Sequence, residues 1–250
     1  MPIKSLAQVL VNGHALAGES TSLAVKTTVE ALEWQTLNQA EKNLLPDVPT
    51  SSIAHSGYWS NADPAGLEKR LWDALATADA TIVSVLLGTQ LALPVGYSFE
   101  SAFSDSLETA VPSGELITVE GNWLSRSGER MLRGYPLAHG VLSATGAQSV
   151  VDFGGAGSAG GVAHLQVMSV VGAASNAQIQ VQGSTVVGFS SPVTLGTFTF
   201  SGNATTGIQA LGVSLGAGTV HRYLRANVVS LGGATSFGVM LLAGQRGRTY

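Results

Sequence analysis

The side chains that titrate nearest neutrality are His14, His55, His139, His164 and His221, and the chemistry open to them depends on their spacing. No pair has the H-x-x-x-H interval that sets two imidazoles on one helical face for a metal ion. With no cysteine in the chain, thiolate metal sites and cysteine nucleophiles are excluded. A Ser-His-Asp triad is recognised by geometry and not by chain order, so order alone leaves it open. However, no G-x-S-x-G elbow is present, and Asp152 is the only acid after residue 147. His55 falls on the strand face of Ile53 and Trp59 and is expected in the core. His164 and His221 alternate with polar residues, an arrangement that predicts solvated or interface positions.

Gly155-Ala-Gly157-Ser-Ala-Gly160 matches G-x-G-x-x-G, which cradles pyrophosphate only when a helix amino terminus follows and an acid lies about twenty residues on. Here the alternating Val162-Ala-His-Leu-Gln-Val167 follows and no acid comes after Asp152, so the glycines are read as an entry loop. Paired carboxylates for glycoside hydrolysis could come only from the first half, for instance Glu100 and Glu120, but the four tryptophans and five tyrosines that would line a sugar cleft are scattered along the chain, and solvated or interface-facing acids are expected. Asn203-Ala-Thr205 has the form of a glycosylation sequon between predicted strands and carries no weight without a secretion signal. Four arginines after residue 147 do not make the basic stripe that nucleic-acid binding needs. No cofactor or metal is implied.

The elements that must hold these residues come from a chain of 250 residues rich in small side chains, 31 of them glycine. Charged residues are 11% and hydrophobic ones 45%, with mean hydropathy +0.27, which argues against disorder. No apolar run has the length of a membrane span, so membrane insertion is not expected. The segment from Lys4 to Ala17 imitates a signal peptide, but Gln8 and Asn12-Gly13-His14 interrupt it, and a strand followed by a turn is expected.

Two-residue alternation predicts strands at 23–29, 53–59, 95–103 and 115–125. Val95, Tyr97, Phe99 and Phe103 share one face, and Ile117, Val119 and Trp123 another, which leaves Glu100 and Glu120 on the opposite faces. Asp63-Pro64 marks a helix start, and Leu67, Leu71 and Leu75 form its apolar stripe over about residues 64–78. Residues 36–50 lack periodicity and read as a long loop, with Leu44, Leu45, Pro46 and Asp47 as contact candidates. Later strands are predicted at 162–171, 178–182, 193–200, 208–213, 220–229 and 237–243, a spacing that suggests a β-sandwich.

Charge divides the chain. Up to Ala147 there are 15 acidic and 8 basic residues, a net −7; from Gln148 onward one acid faces four arginines, a net +3. With the small, polar segment Ser143 to Ser149 as hinge, two domains are expected, 1–147 and 148–250.

Three stretches then carry a resemblance. They are the early strand and turn leading to a long loop that closes with Leu44-Leu45-Pro46; the strand Ile53-Ala-His-Ser-Gly-Tyr-Trp59 followed by an Asp-Pro helix containing Trp72; and Gly161-Val-Ala-His-Leu-Gln-Val167 paired with His221-Arg-Tyr-Leu-Arg225. Over nearly its whole length the chain resembles a major tail tube protein of long-tailed bacteriophages, in the variant with a carboxy-terminal immunoglobulin-like or jelly-roll domain. His55 departs from the aliphatic residue expected at its position.

The resemblance implies a mainly β fold: a tail-tube-type sandwich or barrel with one helix and a long loop, plus an outer β-sandwich. It implies a structural virion protein and no enzyme, made in the host cytoplasm, whose sixfold rings stack into a channel for DNA ejection. Its partners would be copies of itself, the tape measure, tail terminator and distal tail proteins, passing DNA, and a cell-surface glycan at the outer domain. Glu100 and Glu120 would line the channel, and the Leu44 to Asp47 tip would touch a neighbouring subunit. The alternative reading is a carbohydrate- or cell-surface-binding β-sandwich protein that forms no tube.

Overall fold

The computed structural model describes residues 7–16, 20–34, 43–46, 50–59, 66–76, 81–89, 94–111, 113, 115–125 and 131–246. In chain order the elements begin with β1 (Ala7–Val11), β2 (His14–Ala15), β3 (Ser20–Thr28), β4 (Ala31–Trp34), β5 (Asn43–Pro46), β6 (Thr50–Tyr58), α1 (Leu67–Ala76), β7 (Thr81–Leu87), β8 (Val95–Ala110) and β9 (Thr118–Ser125). They continue with β10 (Leu132–Leu142), β11 (Gly146–Ala147), β12 (Val151–Asp152), β13 (Gly161–Val171), β14 (Ala173–Ser184), β15 (Val193–Asn203), β16 (Gln209–Ser214), β17 (Tyr223–Ser230) and β18 (Ser236–Gln245). The fold is mainly β, with antiparallel sheets and a single helix among the described residues.

Two compact units emerge. The first comprises Met1–Gly18, Thr81–Glu100 and Leu132–Tyr250, and the second Glu19–Ala80 and Ser101–Met131. The compositional boundary near residue 147 coincides with neither limit: Tyr135 to Leu142, before it, pairs with Phe237 to Ala243, after it.

The first unit opens on a hairpin. Asn12 and Gly13 both have positive φ, 47° and 85°, which the two-residue turn joining β1 to β2 demands. One path of strands then runs β16-β13-β18-β10-β8-β7-β1-β2, using the first half of β8. β10 turns the corner on this path, pairing with β8 through Leu132 to Gly134 and with β18 from Tyr135 onward. A Cβ on Gly134 would collide with the Ala243 carbonyl, so the corner requires glycine there, and a bulge between Pro136 and Ala138 completes the bend.

Consequently β13 and β18 are covered on both faces. Ala163, Leu165, Val167, Val239, Leu241 and Ala243 join the sandwich core with Ile179, Val181, Phe198 and Leu224 of a five-stranded sheet, β11-β17-β14-β15 with β12 on β17. The alternate residues face the other way, where Met240 packs with Leu10 of β1 and Leu86 of β7. Along β8, Gly96 lies against Leu242, Ser98 bonds to His164, and Glu100 lies against Gly212. Those three partners sit side by side on β18, β13 and β16, so β8 crosses these strands at a steep angle, the orthogonal mode of sheet packing.

In the second unit β6 lies between β3 and β9, and β9 pairs with the second half of β8. Ile53, Val119 and Trp123 are fully buried. α1 seats Leu71 on Gly121 of β9, where a Cβ would come within 2.5 Å of the Leu71 methyl. The buried stripe of α1 is Leu67, Leu71 and Ala74, whereas Leu75, expected to be buried, is exposed. Asp63 and Pro64, the expected helix start, lie outside the described residues. Within the stretch read as a long loop, Asn43–Pro46 is a strand that pairs with Ala31–Trp34 as a separate two-stranded sheet.

Candidate assembly surface

Two of the five histidines, His55 and His164, are withdrawn from solvent. His164, expected at a solvated or interface position, is 2% exposed because β8 covers its face of β13. Its Nδ1 lies 2.7 Å from Ser98 Oγ, and a chain of polar contacts determines which atom holds the proton. Ser98 donates to the Val83 carbonyl at 3.0 Å, which leaves its oxygen to accept from Ser84 Oγ, 2.8 Å away, and from His164 Nδ1–H. Gln166 completes the cluster, accepting from Gly13 N at 2.6 Å and donating to the Ile82 carbonyl at 3.1 Å and Ser84 Oγ at 3.0 Å.

The Nε2 of His164 is buried without a hydrogen-bond partner. A second proton there would be a buried charge with no acceptor, and burial accordingly lowers the pKa to about 4. Ser98 is fully buried too, so this Ser–His contact has no access for a substrate and organises the core.

His55 is buried beside Ile53, as expected for a core histidine, and its Nε2 meets Ser20 Oγ at 2.5 Å. Burial lowers its pKa to about 4 as well. Trp59, assigned by alternation to the same face, is 44% exposed, since it follows the last residue of β6. His139 pairs with Gln8 Oε1 at 2.7 Å. The glycine-rich stretch ends in a strand, β13, with Gly157 bridged to Val220, so the helix needed for pyrophosphate does not follow. Among the described residues no cluster of His, Asp or Glu could hold a metal ion, and no helix is long and apolar enough to cross a membrane.

The two acids singled out by alternation belong to different units. Glu100 is half-buried in the first, on the side of β8 that also carries buried Gly96, Ser98 and Ala102; Phe99, on the opposite side, is buried as expected. Alternation fails as a guide to solvent here because that strand has cover on both faces. Glu120, in the second unit, is exposed and stands directly opposite Glu108 of β8 and Ser56 of β6. Like charges facing each other across a ladder are unfavourable, and neither glutamate has an ion-pair partner among the described residues. Leu44, Leu45 and Pro46 lie on β5 opposite Glu33, Leu32 and Ala31; Asp47 lies outside the described residues.

Sequence reasoning missed the apolar surface of the second unit. Tyr58 ends β6 and Trp59 follows it, Val111 follows β8, and Leu116 precedes β9, so all four gather at one end of the three strands. Leu116 is 66% and Val111 71% exposed. Tyr58, Glu115, Leu116 and Thr118 line an open cleft there. On α1, Trp72 is 59% exposed and Leu75 lies one turn further along. Among the described residues β3 pairs with β6 alone and forms an edge of its sheet.

No protein-family model matches this chain, and no curated protein matches it. Solved structures do. A chain of the extracellular contractile injection system PVC sheath-tube complex in its extended state is 13% identical, covering 54% of this chain and 91% of that one, with a TM-score of 0.40. A chain of the virion of a native gene transfer agent particle is 14% identical, covering 49% and 92%, with a TM-score of 0.38. The SPP1 Dit protein, a hub adsorption apparatus component of phages infecting Gram-positive bacteria, is 9% identical, covering 95% and 98%, again at 0.38.

Proposed function

We propose that this chain is a structural subunit of a long-tailed bacteriophage tail, and within it the major tube subunit, whose rings, six copies each, stack into a conduit for DNA. The observation that carries the reading is the second unit's surface, where Tyr58, Trp59, Val111, Leu116 and, on α1, Trp72 are open to solvent. Large apolar side chains left in water are costly in an isolated subunit, and the cost is relieved when copies pack together.

In the assembled tube the segment from Leu44 to Asp47 reaches a neighbouring subunit, and Glu120 with Glu108 faces the conduit. A ring of unpaired carboxylates repels phosphate and offers no counterion-releasing contact, so DNA passes without being held. Glu100, half-buried against Gly212, is the weaker candidate for that wall. The partners of this reading are copies of the chain, the tape measure, terminator and distal tail proteins, and DNA in transit. Its location is the virion, after synthesis in the host cytoplasm. Electron microscopy of the purified full chain tests it, with rings or stacked tubes as the expected outcome and dispersed folded monomers as the contrary one.

A further inference from the structure

The five-stranded sheet of the first unit has two ends built in opposite ways. One end is blunted: β11 and β12 are two residues each, and both pair with β17. Asp152 of β12 accepts from Arg222 Nε at 2.8 Å and from its Nη2 at 2.7 Å, and Arg225 of β17 donates through Nε to Gln182 Oε1 at 3.0 Å. Short strands and charged side chains are the devices that keep a sheet edge from recruiting another chain.

The other end has neither device. β15 runs for 11 residues, Val193–Asn203, and among the described residues it pairs with β14 alone. No Asp, Glu, Lys or Arg occurs between Asp152 and Arg222, so β14 and β15 carry no charge at all. Pro192 precedes β15 and no proline interrupts it. Its register with β14 is regular from Gly196 to Phe200, between two bulges. Over that stretch Phe198 and Phe200 belong to the sandwich core, and Thr197 and Thr199 are exposed on the opposite face. Beyond it, Gln209 Nε2 donates to the Ser201 carbonyl at 3.2 Å and ties the end of β15 to β16.

Charge selects the occupant. A strand added to this edge by a different protein finds no charge to steer it or to fix its register. A second copy of β15, by contrast, requires that absence. Across a twofold axis each residue meets itself or a near neighbour, so any Lys or Glu on the edge would face its like at a cost in stability. Laid antiparallel and in phase, two copies of β15 set hydroxyl side chains opposite hydroxyl side chains on the outer face, which are favourable cross-strand pairs. The same register keeps the phenylalanines of both copies on the core side.

We infer that β15 is a self-pairing edge, through which two copies of the chain join their five-stranded sheets into one continuous antiparallel sheet. Association by this route stops at two, because the pair uses the β15 edge of both copies and the opposite end of each sheet is blunted. Rings stacked with one polarity have no twofold axis between their subunits. The pair therefore forms between free chains or between tubes lying side by side, and the inference stands apart from the tube reading.

Sedimentation of the full chain below the concentration at which rings form, and of the Trp59→Ser/Leu116→Ser chain, in which rim contacts are removed, tests it. A reversible dimer is expected in both. Thr199→Lys and Thr199→Glu, each at an exposed position, are expected to weaken it at least tenfold with thermal melting preserved, and an equimolar mixture of the two is expected to restore it, since opposite charges then meet across the axis. Should either variant fail to fold, Thr197→Lys and Thr197→Glu serve the same comparison. A monomer at every concentration, open-ended growth past the dimer, a dimer indifferent to folded charge variants, or a mixture no tighter than its components overturns the proposal.

Discussion

His164 Nδ1 and Ser98 Oγ meet at 2.7 Å between β13 and β8, and because Ser98 already donates to the Val83 carbonyl, the histidine is the donor. The imidazole is therefore held neutral, with Nε2 buried and unpartnered. His55, also at a pKa of about 4, repeats the situation in the second unit.

Both histidines make the fold acid-labile. Their folded pKa values are depressed below the ordinary 6.5, so as pH falls from about 6.5 toward 4 the unfolded chain takes up protons that the folded chain refuses. Stability is expected to be full above pH 6.5, to decline through that window, and to level off below 4. Denaturant unfolding at pH 7.5 and pH 4.5 measures it, and His164→Gln is expected to reduce the difference. An identical pH dependence in wild type and variant contradicts the assignment.

The seat of α1 on β9 is testable by overpacking. Gly121→Val thrusts methyl groups into Leu71 and the Ser106 carbonyl and is expected to cost about 1–3 kcal/mol. Thermal melting of Gly121→Val, Leu71→Ala and the pair forms a double-mutant cycle, in which Leu71→Ala costs less in the Gly121→Val background than alone. Additive losses contradict the contact.

The strands were legible where one face meets solvent. Val193–Asn203 and Tyr223–Ser230 alternate buried and open residues, and their positions follow from alternation alone. Legibility failed where distant strands supply a second cover: the polar members of β13, His164 and Gln166, face Ser84 and Ser98 instead of water, and Glu100 faces Gly212. The helix erred by one residue. Position i+7 stands about 20° from Leu67 around an ideal helix and i+8 about 80°, so Ala74 is buried and the larger Leu75 is not. The apolar rim of Tyr58, Val111 and Leu116 gave no periodic signal, because it gathers strand ends from three parts of the chain.

Glu120 and Glu100 differ in what lysine does to them. Glu120→Lys replaces a like-charge pair with Glu108 by an opposite one and is expected to stabilise the sheet by about 0.2–1 kcal/mol. In assembled tubes it is expected to retain DNA at low salt and release it at high salt. Glu100→Lys places a longer side chain beside Gly212 and is expected to lower the melting temperature. Unaltered DNA passage through Glu120→Lys tubes contradicts the conduit role.

Replacing Leu44 and Leu45 together with Ser is expected to leave a folded chain that assembles poorly, since apolar anchors dominate contact energies. Circular dichroism and sedimentation read the two properties separately. Unimpaired assembly with unimpaired folding removes Leu44 and Leu45 from the interface.

The central claim is self-assembly, and electron microscopy of the purified full chain addresses it most directly. The account predicts rings of one diameter, with stacked tubes at higher concentration, and loss of both when Trp59 and Leu116 are changed to Ser in a chain that still melts cooperatively. A folded wild-type chain that remains monomeric at every concentration contradicts it.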